Sequence, residues 1–290
     1  MKQLIVNADD FGIHHEVNQA VYMAFHKGIL TSTSLMAGGR AFSEAAGMAL
    51  AMPSMGTGVH LTLVGGLPSV LPPEEVPSLT WEDGCLCRSY GELLERDMKG
   101  RIRADDVYRE WDAQIRKIMA AGISITHMDG HQHLHMWPRF FPIALTLAMK
   151  YHIPCMRIPA ESFFFGAGLS SPVRTAARDA LTVLSRRNRK KLAPAGILSN
   201  DWFWGMIDGG HLTEKRVLQI MGRLRDGTSE IMCHPSADEA AMEACFHWGY
   251  HGSRELEALL SPEVRAAVRE KRIRLISYRD LAEEQQSGEY

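Results

Sequence analysis

The sequence lacks the features that define several large classes of protein. Its 32 Lys and Arg residues nearly balance its 34 Asp and Glu residues, and the formal net charge of -2 provides no positive field for nucleic acid. We therefore expect no nucleic-acid partner. We detect no internal repeat, and a composition of 46% hydrophobic and 23% charged residues excludes a disordered or fibrous protein.

Cysteine is scarce and follows no pattern. The five cysteines form an odd number without a CxxC pair, which argues against a disulfide framework and favours a reducing compartment. The N-terminal residues MKQLIVNADDFG are too poor in apolar residues for a secretory signal, so we expect a cytoplasmic protein. Residues 45–73 lack Asp, Glu, Lys and Arg, but their prolines, glycines and His60 argue against a membrane span.

Short apolar runs alternate with amphipathic segments along the chain. They predict strands at Leu4–Val6, Ser32–Met36, Gly58–Leu63, Ile125–Met128, Met156–Ile158, Glu230–Cys233 and Ile273–Ser277. Helical spacing predicts helices at His15–Lys27, Phe42–Met52, Ala104–Ala121, Pro138–Tyr151, Pro172–Lys191, Thr213–Arg225 and Pro262–Lys271. The alternation is typical of βα units around a mostly parallel sheet.

The number of predicted strands favours one α/β domain over residues 1–290. We expect a single (β/α) barrel, distorted or seven-stranded, with its active site at the C-terminal ends of the strands. Two loop-rich excursions, residues 65–98 and 162–200, exceed a minimal barrel. Long excursions of this kind are usually lids, binding loops or insertions.

Polar residues cluster where the predicted strands end. Asp9 and Asp10 follow the first strand, His60 lies in another, and His234 ends a third. Because these strand ends meet at one face of a barrel, carboxylates and imidazoles would converge there, as in a divalent metal site. Each residue also has a structural interpretation. An Asp could cap a helix, a lone strand histidine is usually a core residue, and His234 could simply end its strand.

The block HMDGHQHLH follows a further predicted strand. Its members at odd positions are His127, Asp129, His131, His133 and His135. An extended chain would present all of them on one side, which favours a shared site. An exposed histidine tract is the alternative.

Several motifs together carry a family resemblance. NADDFG, GVHLT, THMDGHQHLHM, MRIP, MCHP and LISYRDL, in this order, resemble the YdjC-type carbohydrate deacetylases, which include chitooligosaccharide deacetylase. Through VLPPEEVPSL, PVRTAARDAL and ELEALLSPEVR, the chain is most similar to the branch associated with hopanoid biosynthesis. DGHQHLHM stands where that branch is expected to have a block like NAHKHFHLHP. The block keeps the histidine at the metal-ligand position, but Asp129 and Gln132 differ from the residues expected there, so their substrate contacts do not follow from the resemblance.

The resemblance implies a hydrolase that removes acetate from an N-acetylated amino sugar with one divalent metal ion, zinc or magnesium. Carried onto this sequence, the metal ligands are Asp10, His60 and His131. The catalytic residues are Asp9 as general base, His234 as general acid and Arg157 as the partner that orients Asp9. The residues expected to bind substrate are Asp129, His133, His135 and Trp202. The expected substrate is an N-acetylglucosaminyl hopanoid lipid.

Other functions remain open at this point. They are a chitooligosaccharide deacetylase, another metal-dependent hydrolase or isomerase on the same scaffold, and a non-catalytic sugar- or lipid-binding protein. A phosphorylated sugar is disfavoured by the lack of a Gly-rich phosphate cradle, and mere binding would require neither a base nor an acid. The sequence does not indicate an oligomeric state.

A basic amphipathic segment spans residues 173–191. Its cations suit the C-terminal end of a solvated helix, and peripheral contact with the inner membrane surface is the functional alternative. Two aromatic clusters, residues 163–165 and 202–204, could stack on a sugar, cover lipid or lie in the core.

Overall fold

The computed structural model describes residues 1–163 and 172–287. Its sheet contains eight strands: β1 Lys2–Phe11, β2 Ser32–Leu35, β3 Gly56–Leu61, β4 His127–Gly130, β5 Cys155–Met156, β6 Trp202–Trp204, β7 Gly227–Cys233 and β8 Arg274–Leu275. Seven follow the order β5-β4-β3-β2-β1-β7-β6, while β8 pairs with β1. Every pairing between these strands is parallel.

Helices connect and flank the strands. They are α1 His15–Lys27, α2 Phe42–Ala51, α3 Tyr90–Met98, α4 Ala104–Ala120, α5 Phe141–Lys150, α6 Pro172–Arg189, α7 Glu214–Met221, α8 Glu239–Phe246, α9 Gly252–Leu260, α10 Pro262–Glu270 and α11 Tyr278–Ser287. Short 3-10 helices span Pro73–Glu75, His131–Met136 and Ala193–Ala195. Within the described residues, no helix has both the length and the apolar character needed to cross a membrane.

The sheet curls into a barrel-like shape, which confirms the expected fold class. The segments that contain its two end strands meet through single-residue parallel bridges: Cys155 of β5 pairs with Leu198, before β6, and Phe203 of β6 pairs with Glu161, after β5. Curling brings the C-terminal ends of the strands toward one mouth. The predicted functional residues on different strands therefore share this end of the molecule.

β1 lies in the middle of the sheet and alternates between two apolar environments. Leu4 and Val6 pack in the large core shared with the helices, whereas Ile5 belongs to an inner cluster with Tyr278. Because side chains alternate along a strand, Asp9 shares the inward orientation of Ile5. Burial on both faces explains why this strand is a nearly continuous apolar run in the sequence.

The helix prediction was most accurate where caps and periodicity agree. α1 has the predicted bounds, and His14 caps it by accepting the Glu16 amide N–H. Helix α3 and a 3-10 helix lie within the 65–98 excursion, and α6 lies within the 162–200 excursion. Phe164 and Phe165 of the first aromatic cluster lie outside the described residues. The second cluster is instead strand β6, which the sequence analysis missed.

The expectation of one extended histidine block is wrong beyond Gly130. Strand β4 ends there, and residues His131–Met136 form a 3-10 helix. Gln132 and His133 have φ angles of 53° and 57°, so both are left-handed. Alternation along an extended chain therefore places only His127 and Asp129 together.

Candidate active site

A bulge at the end of β1 brings two adjacent carboxylates to the same site. The pairing of β1 with β2 shifts register between Ala8 and Phe11, and Asp10 has a left-handed φ of 64°. Neighbouring side chains in a regular strand would face opposite sides, and the bulge removes this restriction. Non-glycine residues rarely adopt this conformation, which is typical of functional sites.

Asp10, His60 and His131 form a buried cluster that could hold a metal ion. Asp10 Oδ1 lies 2.9 Å from His131 Nδ1 and 3.4 Å from His60 Nε2. Atoms that each lie about 2.1 Å from one ion are roughly 3.0–3.4 Å apart, so these separations fit a shared ion. Despite the short distances, Asp10 Oδ1 lacks a hydrogen bond of good geometry among the described residues. The cluster thus provides an anionic oxygen and two imidazoles that converge on one point.

The electrostatics of the cluster favour positive charge. Burial raises the pKa of Asp10, but His131 and His60 lower it more, so the net pKa lies well below its usual value. Burial lowers the pKa of His60, but Asp129 and Asp10 raise it by more than burial lowers it, so that the pKa is about 10. Asp10 is therefore ionised, and the surrounding carboxylates stabilise a cation next to it.

Asp129 orients His60 from behind. Its Oδ1 accepts a hydrogen bond from His60 Nδ1 at 2.8 Å, and its Oδ2 accepts one from the Ser34 hydroxyl at 2.6 Å. A proton fixed on Nδ1 leaves the Nε2 lone pair directed at Asp10. Carboxylates commonly orient histidine ligands in this way at metal sites. The structure therefore places Asp129 behind His60 of the candidate metal cluster, whereas the sequence suggested a substrate contact.

Arg157 links the carboxylates of the site. Its guanidinium binds both oxygens of Asp9, at 2.6 and 2.7 Å, and also contacts Asp129 at 2.8 Å. Its Nε donates to Glu230 at 2.8 Å, and the Tyr278 hydroxyl donates to the other oxygen of Glu230 at 2.6 Å. A second cluster with metal-like spacing, made of Asp9, His60 and Asp129, already has this guanidinium as its cation.

His234 lies beside this cluster, directly after β7. Its ring packs against Tyr250 with 5.2 Å between centroids, and both residues line the cavity next to Asp9. Burial lowers the pKa of His234, while Asp10 and Asp9 act in the opposite direction without overcoming the effect. A small void of about 20 Å³ touches Asp9, Asp10 and His234, which is enough for one water molecule.

A larger cavity of about 610 Å³ opens over the site. Its polar lining includes Asp9, His60, His131, His133 and His234. Its apolar lining includes Leu94, Leu134, Trp137, Leu181 and Leu184, which we call the apolar wall. A ligand that fills the cavity would contact both the candidate metal cluster and hydrocarbon side chains.

Helix α6 supplies part of the apolar wall because its orientation is unusual. Its polar residues Thr182 and Ser185 are buried, whereas Leu181 and Leu184 face the cavity. Glu161 accepts the backbone N–H groups of Gly205 and Ile207, and its own carbonyl accepts the Thr182 hydroxyl. The Thr182 bond attaches the polar face of α6 to the Glu161 segment, while Leu181 and Leu184 line the cavity.

Comparison with known proteins agrees with this geometry. The family model for YdjC-like proteins matches residues 3–270. The chain belongs to the YdjC-like family. A carbohydrate deacetylase from Geobacillus stearothermophilus is 32% identical over 278 residues, which cover 96% of this chain and 97% of that protein. A chitooligosaccharide deacetylase from Salmonella typhimurium is 30% identical over 283 residues, with 96% and 98% covered.

A solved structure shares the whole fold. This Enterococcus faecalis protein, described as a candidate for cellobiose-phosphate cleavage, has 30% sequence identity and a TM-score of 0.74. The alignment covers 97% of this chain and 99% of that one. The architecture of this YdjC-like chain is therefore shared with a relative from end to end.

Of the other three residues predicted to bind substrate, one lines the cavity and two lie away from it. His133 lines the cavity and packs edge-on against Phe203, and burial holds its pKa well below the usual value. His135 is buried behind the site, where its Nε2 contacts the Arg157 carbonyl at 3.1 Å. Trp202 lies at the start of β6, and its Nε1 donates to the Asp226 carbonyl. The geometry therefore places only His133 of these three at the cavity.

Glu230 and Tyr278, which hold Arg157, were not among the residues predicted from the sequence. Glu230 is a charged residue in the middle of the buried strand β7, and Tyr278 lies in the LISYRDL motif. Tyr278 also stacks on His127, with 4.0 Å between ring centroids. A glutamate in the middle of a buried strand requires a partner, and this was the available signal for it.

Proposed function

We propose that the chain is a metal-dependent N-deacetylase that hydrolyses the acetamide of an N-acetylated amino sugar and releases acetate. The observation that carries this proposal is the convergence of Asp10, His60 and His131, flanked by a carboxylate and an imidazole at the same cavity. Relatives that carry the name deacetylase support the same chemistry. A non-catalytic binding protein would not need this combination.

Amide hydrolysis needs an activated nucleophile, a polarised carbonyl and a proton for the departing amine. A divalent ion held by Asp10, His60 and His131 would polarise the acetyl carbonyl and make a water molecule more acidic. Asp9 lines the cavity and accepts the proton of the attacking water as general base. Arg157 and Asn7 orient Asp9, because they donate to its oxygens at 2.6–2.9 Å.

His234 acts as the general acid in this mechanism. It lines the cavity with Asp9, so a scissile amide bound between them would have a base and an acid within reach. In its protonated form it gives a proton to the amine nitrogen as the C–N bond breaks. Its lowered pKa makes the imidazolium a stronger acid once it is protonated.

The metal identity is also part of the proposal. Two imidazoles and one carboxylate suit zinc and leave coordination positions open for water and substrate. Magnesium prefers oxygen ligands, so it is the second candidate.

We infer that the substrate is an amino sugar attached to a bulky apolar group, such as an N-acetylglucosaminyl hopanoid. The apolar wall supports this inference, since it lines the same cavity as the candidate metal cluster. Apolar ligand surface buried there would contribute about 25 cal/mol per Å². Free chitooligosaccharide is the second candidate, favoured by the name of the Salmonella relative.

The basic end of α6 has contacts within the protein, which bear on the membrane alternative. Arg189 donates to the carbonyls of Asn200 and Asp201, and Arg186 lies 4.7 Å from the ring of Phe163. Lys191 lies 5.5 Å from the ring of Phe141. These contacts favour a structural role for the basic segment, and our proposal does not require membrane contact.

The test measures acetate released from N-acetylglucosaminyl hopanoid and, in parallel, from N,N'-diacetylchitobiose, with and without a chelator. We expect chelator-sensitive acetate from the hopanoid, while acetate from chitobiose alone would keep the reaction and overturn the lipid assignment. Acetate from neither substrate, with the metal content verified, would overturn the proposed function.

Variants assign the roles within this reaction. Asp10→Ala and His131→Ala should lose both turnover and bound metal, whereas His234→Ala should lose turnover and keep the metal. His26→Ala, at an exposed position on α1, is the matched control. A fully active His131→Ala variant would contradict the ligand assignment.

A further inference from the structure

A second buried carboxylate lies next to His234 and is not used in the mechanism above. Glu255, in the first turn of α9, is 0% exposed. Its Oε2 accepts the backbone N–H of His234 at 2.5 Å, and its Oε1 accepts that of Leu212 at 3.0 Å. The backbone N–H of Gly210 also lowers the pKa of this carboxyl. All of these partners belong to the two chain segments that border the cavity.

A carboxylate at this position is costly to the fold. Among the described residues no cation forms an ion pair with Glu255, and burial raises its pKa to about 8 despite the backbone donors. A carboxyl group with this pKa must bind a proton when the chain folds near pH 7, and this proton uptake is destabilising. The position therefore has a cost that its hydrogen bonds reduce without removing, which indicates a purpose beyond packing.

His234 depends on its backbone for orientation. It follows the last residue of β7, so no strand ladder fixes its N–H, and Pro235 after it has no N–H to donate. Within the described chain, its Nδ1 has no hydrogen-bond partner. The position of the ring therefore follows from the backbone bond to Glu255 and from packing against Tyr250.

Glu255 also connects Tyr250 to this arrangement. Gly210, whose N–H acts on the Glu255 carboxyl, has a φ of 79°, and a Cβ built there would lie 2.3 Å from the Tyr250 ring. The close approach of Gly210 holds Tyr250 against His234. One carboxylate thus joins the loop before α7, the end of β7 and the aromatic residue that packs on the imidazole.

We propose that Glu255 is a positioning residue for His234, which holds the imidazole where it can protonate the departing amine. This inference rests on the proposed deacetylase function. It predicts that loss of Glu255 impairs proton donation more than any other step. The effect should consequently depend on how much the leaving group needs a proton.

The experiment compares two substrates in the metal-loaded enzyme. An N-acetyl amino sugar needs a proton on its amine nitrogen, whereas 4-nitrophenyl acetate releases an anion that needs none. General acid catalysis contributes about 10²–10⁴-fold, so Glu255→Gln should lower kcat on the sugar by at least about tenfold. It should change hydrolysis of the ester by less than about threefold, and His234→Ala should show the same selectivity.

Glu161→Gln is the matched control. Glu161 is equally buried and also accepts backbone N–H groups of a cavity loop, but it does not contact His234. It should affect both substrates to the same extent. If Glu255→Gln fails to fold, Glu255→Asp takes its place, because its shorter side chain keeps the carboxyl group but does not reach the His234 N–H.

An equal loss on both substrates, or a loss no larger than that of Glu161→Gln, would overturn the positioning role. Imidazole resonances of His234 provide a readout that does not depend on turnover. They should shift or broaden in Glu255→Gln while those of His60 stay unchanged. An unchanged His234 signal in Glu255→Gln would overturn the positioning role of Glu255, whether or not the wild type releases acetate. A wild type that releases no acetate would overturn only the proposed function.

Discussion

Replacing Asp129 by Asn tests whether the His60 side chain is a metal ligand held in one tautomer. Asp129 accepts the His60 Nδ1 proton at 2.8 Å, and both side chains are at most 1% exposed. Asn keeps an acceptor oxygen but removes the negative charge that favours this proton. Loss of such an outer partner typically weakens metal binding 10–100-fold, or roughly 1.4–2.8 kcal/mol. We expect a change of this size.

The assay is a competition titration of the purified protein with a chromophoric chelator, for zinc and for magnesium separately. Asp106→Asn is the control, because Asp106 is also fully buried and paired with arginines but lies away from the site. It should leave metal affinity unchanged. Equal affinity for Asp129→Asn and the wild type would refute the reasoning, since His60 would then not depend on Asp129.

Three further predictions follow from the same geometry. Metal uptake near pH 7 should release at least one proton, because the pKa of His60 is raised to about 10 and a ligating imidazole must be deprotonated. Calorimetry in buffers of different ionisation enthalpy measures the number of protons released, and no proton release would contradict the assignment of His60 as a ligand. Burial lowers the pKa of His127 to about 3, so its contribution to stability is present above pH 6.5 and is lost as the pH falls. In urea unfolding, the difference in unfolding free energy between the wild type and His127→Gln should shrink by about 1.4 kcal/mol per pH unit below 6.5, and a difference that stays constant with pH would contradict this. Leu184→Asp should raise KM for the lipid-linked sugar at least about tenfold and leave KM for chitobiose unchanged. Val183→Asp is the control, because Val183 is 59% exposed on the same helix, and equal effects of Leu184→Asp on both substrates would argue against the apolar wall as a lipid subsite.

The sequence was sufficient for those parts of the fold that local patterns determine. Helix α1 has both its cap and its apolar periodicity in the sequence, and β1 is a long apolar run. Strand β6 has only three residues, two of them tryptophan, and its pairing with β7 is what makes it a strand. No local pattern could have shown this, because the pairing is with residues more than twenty positions away.

The candidate site was predictable as a set of residue types but not as a geometry. The motifs pointed to Asp9 and Asp10, yet the bulge that lets both face the site depends on pairing with β2. The left-handed residues Gln132 and His133 broke the expected alternation, since residue spacing assumes regular backbone. Tertiary contacts, which single-sequence patterns do not contain, therefore determined which histidines reach the cavity.

Charge balance explains why the inner residues matter as much as the ligands. The buried interior of the site holds four carboxylates and one arginine: Asp9, Asp10, Asp129, Glu230 and Arg157. Arginine can offset only part of this charge, and the neighbouring carboxylates raise the pKa of His60 to about 10 against the effect of burial. Burial, together with Asp129 and Asp9, raises the pKa of Glu230 to about 7 although Arg157 lowers it. A divalent ion beside Asp10 would supply the missing positive charge and displace the His60 proton. Proton release on metal binding and the dependence of affinity on Asp129 are thus two consequences of one electrostatic excess, and neither should survive if that excess is absent.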